Sequence, residues 1–505
     1  MPDPVLDLPV VLLSHRGPVS FAAEEGGGRT ATRGAGGLVT ALTGLTAHLP
    51  DAVWVCVATP GEDAVVAREA DGQVLRLALG PPARLLEPEE PDDPDDVVHV
   101  RLVEVPAEVH EPFYGVIANP LLWFVQHRLY GLATAPTLGR AEHAAWTDGY
   151  VEANRLAAEA VVEQVERAGG RAAVMLHDYH FYLVGDLVRQ RCPDVLLSHF
   201  VHIPWPGPDA WRVLPPAMRE AVLRGLLGCD VVGFHTGADA RSFLLCAQEL
   251  LGLPVDLEEG SVLLADRQVR ARTYPISIDV AGLEEVARSQ DTVDHLAQLP
   301  GHGQLVLRVD RTDPSKNIVR GFDAFELLLE EHPEQQGEVV FLALLQSSRQ
   351  DVPEYAAYLT EIGAAAARIN AKFGTGTWQP VDLRLASDLP LAVAAYRRCD
   401  VLVVNAVADG MNLVAKEAVV VNERDMVLAL SESTGAHGEL GRYAVTLHPF
   451  DIAQQADAIH EALTMPHAER AQRRRQAADQ VRRNDVRRWL RVQLADLAGI
   501  AAEED

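Results

Sequence analysis

The sequence predicts an α/β protein of two doubly wound, Rossmann-like domains that face each other across a cleft. Short apolar strands alternate with helix-length segments, the pattern of a parallel sheet covered by helices on both faces. The alternation restarts near Leu305, and a chain of 505 residues is too long for one core. The polar and charged groups most suited to a ligand stand at or just beyond strand ends, where such sheets hold ligands. The expected domains are 1–275 and 276–482, followed by a C-terminal helix, 483–505, that packs back on the first.

In the first half, strands fit Val10–Ser14, Val53–Val57, Ala173–Leu176, Leu196–Val201 and Val231–Phe234. Each is a short apolar, β-branched run bounded by polar or turn-forming residues. Helical spacing fits Pro120–Tyr130, Thr147–Arg167, Tyr182–Arg191, Pro216–Leu227 and Ala238–Leu251. Residues 255–275 alternate apolar and polar and suggest a closing hairpin. In the second half, strands fit Leu305–Val309, Val339–Leu345, Val381–Leu385, Val401–Val404, Val427–Leu430 and Ala444–Leu447. Helices fit Lys316–Glu331, Pro353–Phe373 and a segment opening at Met411; Ala468–Leu497 is helical and rich in arginine. Neither half carries GxGxxG after its first strand, which counts against a dinucleotide oxidoreductase.

A formal charge of −28 argues against nucleic acid or an acidic membrane as partner. The dense acidic run Glu87–Asp96 reads as a solvated loop. Five scattered cysteines form no CxxC pair, so neither a zinc site nor a disulfide framework is expected. No apolar run reaches membrane-spanning length, and the N-terminus reads as a first strand rather than a signal peptide. A reduced cytoplasmic protein is the expectation.

The most informative stretch is Val403–Glu417, where an apolar strand enters a loop holding Asp409-Gly410 and then a helix. Helix-start amides from Met411 through Asn412, Leu413 and Val414 lack intrahelical partners and, with the helix dipole, favour an anion. Carboxylates at Asp409 and Glu417 suit hydroxyl groups, so the whole suits a nucleotide-sugar; an ordinary strand-to-helix turn is the plain alternative. Arg311 and Lys316 stand five residues apart after another strand and can clamp a diphosphate. The alternative there is a helix start capped by Asp313 or Ser315. Arg16 and Arg349 each follow a strand, and Gly36-Gly37 closes a glycine-rich loop able to approach a phosphate or sugar. Asp178 (in His177-Asp178-Tyr179-His180) and His202 (in His202-Ile203-Pro204-Trp205-Pro206) also follow strands. Without a helical HxxxH or a cysteine partner, they predict no metal site.

Together, DGMNLVAKE (409–417), VDRTDPSKN (309–317), HDYH (177–180), HIPWP (202–206) and SRQD (348–351) resemble trehalose-6-phosphate synthases, retaining glycosyltransferases of the GT-B fold. The resemblance runs over roughly residues 9 to 500. It implies transfer of glucose from a nucleotide-glucose to glucose 6-phosphate, with no cofactor or metal and often a homo-oligomer. It implies Arg311 and Lys316 as diphosphate clamp, Asp409 on donor-sugar hydroxyls, Gly410 to Val414 as backbone contacts and Glu417 on the ribose. It places His202 near the reacting sugar, Gly36 and Gly37 over the donor, and Arg16, Tyr114, Trp123, Asp178 and Arg349 on the acceptor. The family usually has Asn at His15, Tyr at Pro314, Arg at Ala408 and Gly at Ser277, departures that leave UDP, GDP and ADP all open. Two other readings share the scaffold: a pseudo-glycosyltransferase joining a nucleotide-cyclitol to an amino-cyclitol phosphate, and a non-catalytic sugar-phosphate sensor.

Overall fold

The structure, a computed structural model, describes residues 8–24, 28–34, 39, 41–43, 49, 51–80, 83–86, 97–301 and 303–504. Gly36, Gly37 and the acidic run 87–96 lie outside the described residues. The chain divides into two compact units, Met1–Pro275 with Arg487–Asp505, and Ile276–Val486.

The first unit holds an eleven-stranded sheet ordered β11-β12-β13-β10-β9-β8-β1-β4-β7-β5-β6. Its strands are β1 (Val10–Ser14), β4 (Val53–Ala58), β5 (Leu75–Ala78), β6 (Arg84–Leu85), β7 (Val97–Glu104), β8 (Ala173–His177), β9 (Leu196–Phe200), β10 (Val231–Phe234), β11 (Val255–Asp256), β12 (Ser261–Leu263) and β13 (Gln268–Thr273). A separate hairpin pairs β2 (Val19–Ala23) with β3 (Arg29–Arg33). The seven central strands, β7 to β13, run parallel, and their apolar runs are buried on both faces, as the covering helices require. Chain order puts β1 beside both β4 and β8, so the winding direction reverses between β1 and β8.

The second unit has six parallel strands ordered β16-β15-β14-β17-β18-β19. They are β14 (Gln304–Arg311), β15 (Val339–Gln346), β16 (Val381–Leu385), β17 (Val401–Val404), β18 (Val427–Ser431) and β19 (Val445–Leu447). In order of appearance this is 3-2-1-4-5-6, the doubly wound order, with its reversal between β14 and β17. Its core gathers Phe322, Phe325, Phe341, Ile362, Val403 and Ile459 between sheet and helices. Burial of each such side chain stabilises by about 1.5–3 kcal/mol.

Several expected boundaries differ. The helix expected over Pro120–Tyr130 begins earlier, as wide π-type turns over Glu111–Leu122 that end in an α-turn, Trp123–Gln126. Similarly, the helix before Arg167 starts at Arg140. Strands β2, β3, β5, β6 and β7 were not expected; β6 and β7 stand before and after the acidic run in the sequence. The arginine-rich segment is two helices, His467–Arg483 and Val486–Glu504, because Asn484 leaves helical geometry (φ −121°, ψ 57°). There the chain returns to the first unit, where Trp489 Nε1 donates to the Tyr274 carbonyl (3.1 Å) and the Tyr274 hydroxyl to Asp496 (2.7 Å). No helix among the described residues is long and apolar enough to cross a membrane.

Two helices behind β8 and β9, Val184–Arg191 and Pro216–Leu227, meet through glycine. A Cβ on Gly225 would stand 2.0 Å from the Tyr182 carbonyl oxygen, and one on Gly185 2.6 Å from that of Gly225. Overpacking such a contact costs about 1–3 kcal/mol. Gly225→Ala is therefore expected to lower the urea unfolding midpoint by that equivalent; an unshifted midpoint would show that the helices separate freely.

Candidate active site

In the second unit the site grows from Arg308, which sits in the middle of β14 at 0% exposure. Its Nε donates to Asp310 (2.9 Å), and its other nitrogens donate to the carbonyls of Lys316 (2.9 Å) and Ile318 (3.3 Å) and to the Asn405 side chain. Asn405 directly follows β17 and donates to the Asn317 carbonyl (3.1 Å) and to Gln455 (2.7 Å). Asn317, in left-handed geometry (φ 58°), donates back to the Asn405 carbonyl (2.9 Å) and to that of Pro449 (2.6 Å). These bonds tie the loop after β14 to the loop after β17, across the point where the sheet reverses.

That arrangement presents Lys316 to Asp409, and the two form an ion pair with 13% and 15% side-chain exposure. The helix expected from Lys316 starts two residues later, at Ile318, after a 3₁₀ turn over Pro314–Lys316. Asp313 caps this turn, accepting from the Ser315 amide (2.9 Å). Arg311 closes β14 on the same loop and is partly exposed. Asp310, nearly buried, is pushed up from the usual carboxylate range by burial, against the pull of Arg308 and Lys316.

Asn412 (φ 83°) donates to Asp409 (3.1 Å) and caps the next helix by accepting from the Ala415 amide (3.0 Å). The helix thus begins at Leu413 rather than Met411. Leu413 and Val414 supply its first amides without intrahelical partners; Met411 is buried, its carbonyl accepting from Ala436 (2.7 Å). The turn at Asp409-Gly410 is pressed against Gly435, where a Cβ would come 1.9 Å from the Gly410 oxygen. Glu417 accepts from the buried Tyr396 hydroxyl (3.1 Å), and burial raises its carboxyl. Arg349 also belongs to this unit: Nη1 donates to the Tyr355 hydroxyl (2.6 Å) and lies 3.7 Å from Asp313.

The first unit assembles its groups at its own reversal. Ser14 receives the Trp54 indole N–H (2.8 Å) and donates to the Arg16 carbonyl (2.7 Å), shaping the turn that leaves Arg16 exposed. His15 stacks between Tyr114 (4.9 Å between centroids) and His180 (4.4 Å). Trp123 is 5% exposed, edge-on to Tyr179, whose hydroxyl donates to Asn119 (2.7 Å). Asp178 is held at φ 74°, ψ 172°, a region that only glycine adopts readily. Its amide donates to the Phe200 carbonyl (2.8 Å), and its carboxylate accepts from the His202 amide (3.3 Å). The half-buried His202 meets His177 through Nε2 and Nδ1 (3.1 Å).

Burial, with His199 adding, pushes the His177 imidazole down to about 3. His199 is likewise pushed to about 3, and His202 well below its ordinary value, by burial first. All three are neutral at pH 7, so His202 offers a hydrogen bond rather than a charge.

Arg311, Lys316, Asp409 to Val414 and Glu417 therefore lie at the end of one strand and on the loops and helix that follow two strands of the second unit, which also carries Arg349; in the first unit Arg16, Asp178 and His202 follow strands, and Tyr114 and Trp123 lie in the helical turns over 111–126. Sequence reasoning missed Arg308, Asn317, Asn405 and Tyr396. An arginine inside an otherwise apolar parallel strand was the available signal, since such a residue is buried only with partners.

The model of glycosyltransferase family 20 matches residues 9–499. The chain belongs to glycosyltransferase family 20. Within this family it is 35% identical over 503 residues to the trehalose-6-phosphate synthase of Mycolicibacterium vanbaalenii, covering 97% of this chain and 95% of that protein. It is 35% identical over 393 residues to the bifunctional trehalose-6-phosphate synthase/phosphatase of Thermoproteus tenax, covering 77% of this chain. The matched part spans about half (52%) of that relative's length. Among solved structures, the E. coli protein bound with UDP-2-fluoro glucose aligns with a TM-score of 0.80 at 27% identity, covering 97% of this chain and 99% of that one. The family-20 chain thus has the GT-B fold class, each unit doubly wound.

Histidine burial has a thermodynamic consequence. Unfolded, His177 and His199 take up protons near their ordinary 6.5; folded, they do so near 3. Between those values the unfolded chain holds more protons, so stability falls as pH falls, by up to about 1.4 kcal/mol per pH unit per histidine. Glu417 and Asp310, raised by burial, work in the opposite sense. The melting temperature is expected to drop between about pH 7 and pH 5, and to drop less in His199→Gln. Equal slopes in the two proteins would mean His199 is protonated in the native state.

Proposed function

We propose that this chain is a retaining hexosyltransferase that moves glucose from a nucleotide-glucose to glucose 6-phosphate, giving trehalose 6-phosphate. The observation that carries the reading is the Lys316–Asp409 ion pair at the reversal of the second sheet, beside Arg311 and the Leu413 helix start. A diphosphate arriving there draws Lys316 towards its own charge, and the Asp409 carboxylate accepts donor-sugar hydroxyls. Charge growing on the leaving oxygens as the glycosidic bond breaks is met by Arg311, Lys316 and the amides of Leu413 and Val414. Glu417 holds the ribose, and Gly36 and Gly37 belong to the donor-binding set.

Retention follows a front-face course in which the departing phosphate accepts the proton of the acceptor hydroxyl, so no enzyme nucleophile is required. His202, neutral, hydrogen-bonds near the reacting sugar. Arg16, Tyr114, Trp123, Asp178 and Arg349 take the sugar phosphate. No metal enters this chemistry, since the cations of the chain supply the charge stabilisation. UDP-glucose is the donor to try first, because the E. coli neighbour was solved with a UDP-glucose analogue. A catalytically silent sensor is disfavoured, as it would have no use for a donor clamp.

The deciding assay gives purified protein glucose 6-phosphate with UDP-, GDP- or ADP-glucose and measures released nucleotide, with and without EDTA. Acceptor-dependent release that survives EDTA is expected; none with any donor would end the reading. Lys316→Ala should lower turnover at least about tenfold, the loss of roughly 1.4 kcal/mol of transition-state stabilisation. Near-normal turnover would remove Lys316 from the clamp. Arg349→Ala should raise the Michaelis constant for the sugar phosphate about tenfold or more, the scale of a lost charged hydrogen bond. An unchanged constant would assign Arg349 to the Asp313–Tyr355 contact alone.

A further inference from the structure

Away from the candidate site, His332, Glu334 and His460 bring one ligand atom each within 4.8 Å of one another. His332 directly follows the helix Ile318–Glu331, and Glu334 lies in the 3₁₀ turn Pro333–Gln335. His460 comes from a different element, the helix Ile452–Thr464. At 1.5 Å per residue the first helix carries His332 about 20 Å from the Lys316 loop at its other end, so the cluster is separate from the donor groups.

Three features favour a ligand there. The imidazoles of His332 and His460 lie face to face, 3.6 Å apart and 7° from parallel. The Glu334 carboxylate is 3.1 Å from His332 Nδ1. His460 Nδ1 is buried with no hydrogen-bond partner among the described residues, a state that costs free energy unless something binds the nitrogen.

We propose that His332, Glu334 and His460 bind a divalent transition-metal ion of the zinc class. Two imidazole nitrogens and one carboxylate oxygen are the donors such ions take, with water in the fourth position, whereas magnesium and calcium prefer oxygen alone. At Zn–N bonds of about 2.0–2.1 Å, donors stand roughly 3.3 Å apart, so the rings must turn out of their stack to close on the ion. His332 (27% exposed) and Glu334 (62%) have the room to do so. The ion would pin the end of the first helix to the second, whose preceding loop holds Asn317 through the Pro449 carbonyl. Its role is structural, so the metal-free chemistry of the transfer is untouched.

Calorimetric titration of chelator-stripped full-length protein with zinc chloride tests this. One ion per chain is expected to bind, and His332→Ala and His460→Ala should each weaken it at least about tenfold, since even groups that only support a ligand cost that much. His467→Ala, an exposed histidine elsewhere, should leave it unchanged. Zinc should raise the melting temperature of the parent and not of His460→Ala, while magnesium raises neither. Should a histidine variant fail to give the parent's far-ultraviolet dichroism, Glu334→Gln, at an exposed position, must still weaken the ion. Absence of stoichiometric zinc binding, or equal affinity in the variants, would leave an ordinary solvated His–Glu pair and overturn the site.

Discussion

A guanidinium cannot be buried without donating all round, and Arg308 is fully buried inside a parallel strand. Its Nε is answered by Asp310 within β14, but its remaining nitrogens find acceptors only in Lys316, Ile318 and Asn405, groups beyond the ends of two strands. The loop that carries Lys316 is therefore held where Arg308 can reach it. Gly321 is part of the same constraint: a Cβ there would stand 2.6 Å from Arg308 Nη1. The cost of burying charge is met by hydrogen bonds that also place the Lys316 loop, which is why breaking one partner of such a pair is far more damaging than replacing both.

The candidate site residues of each unit share this logic of positioning by backbone constraint. Asn412 and Asp178 both occupy positive φ without being glycine, and each is held by bonds on either side. Strain of this kind persists only where surrounding structure over-determines it, and it collects at working sites. Around Asp178 the neutral histidines 177, 199 and 202 make the environment polar without adding charge. Around Asp409 the reverse holds, with Lys316 balancing the carboxylate directly.

Alternation of apolar runs with helical spacing made both units legible, and strand ends marked most of the polar groups that now cluster. Elements whose signal is local but weak escaped: β5 and β6 are only four and two residues long, and the π-type turns over Glu111–Leu122 have no simple periodicity. Helix starts were misplaced by two residues at both Lys316 and Met411, because side-chain caps and left-handed residues, not propensity, decide where a helix begins.

The sequence by itself determined the class of the fold, the family and the residue types able to meet a diphosphate, since these rest on periodicity and on motifs read along the chain. Only the tertiary structure decided that Lys316 faces Asp409, that Arg308 reaches Asn405, and that His332 meets His460. Those pairings join residues 93, 97 and 128 positions apart, and no local pattern encodes them. They follow from strand order, because a sheet that reverses between β14 and β17 is what brings two distant loops to one edge.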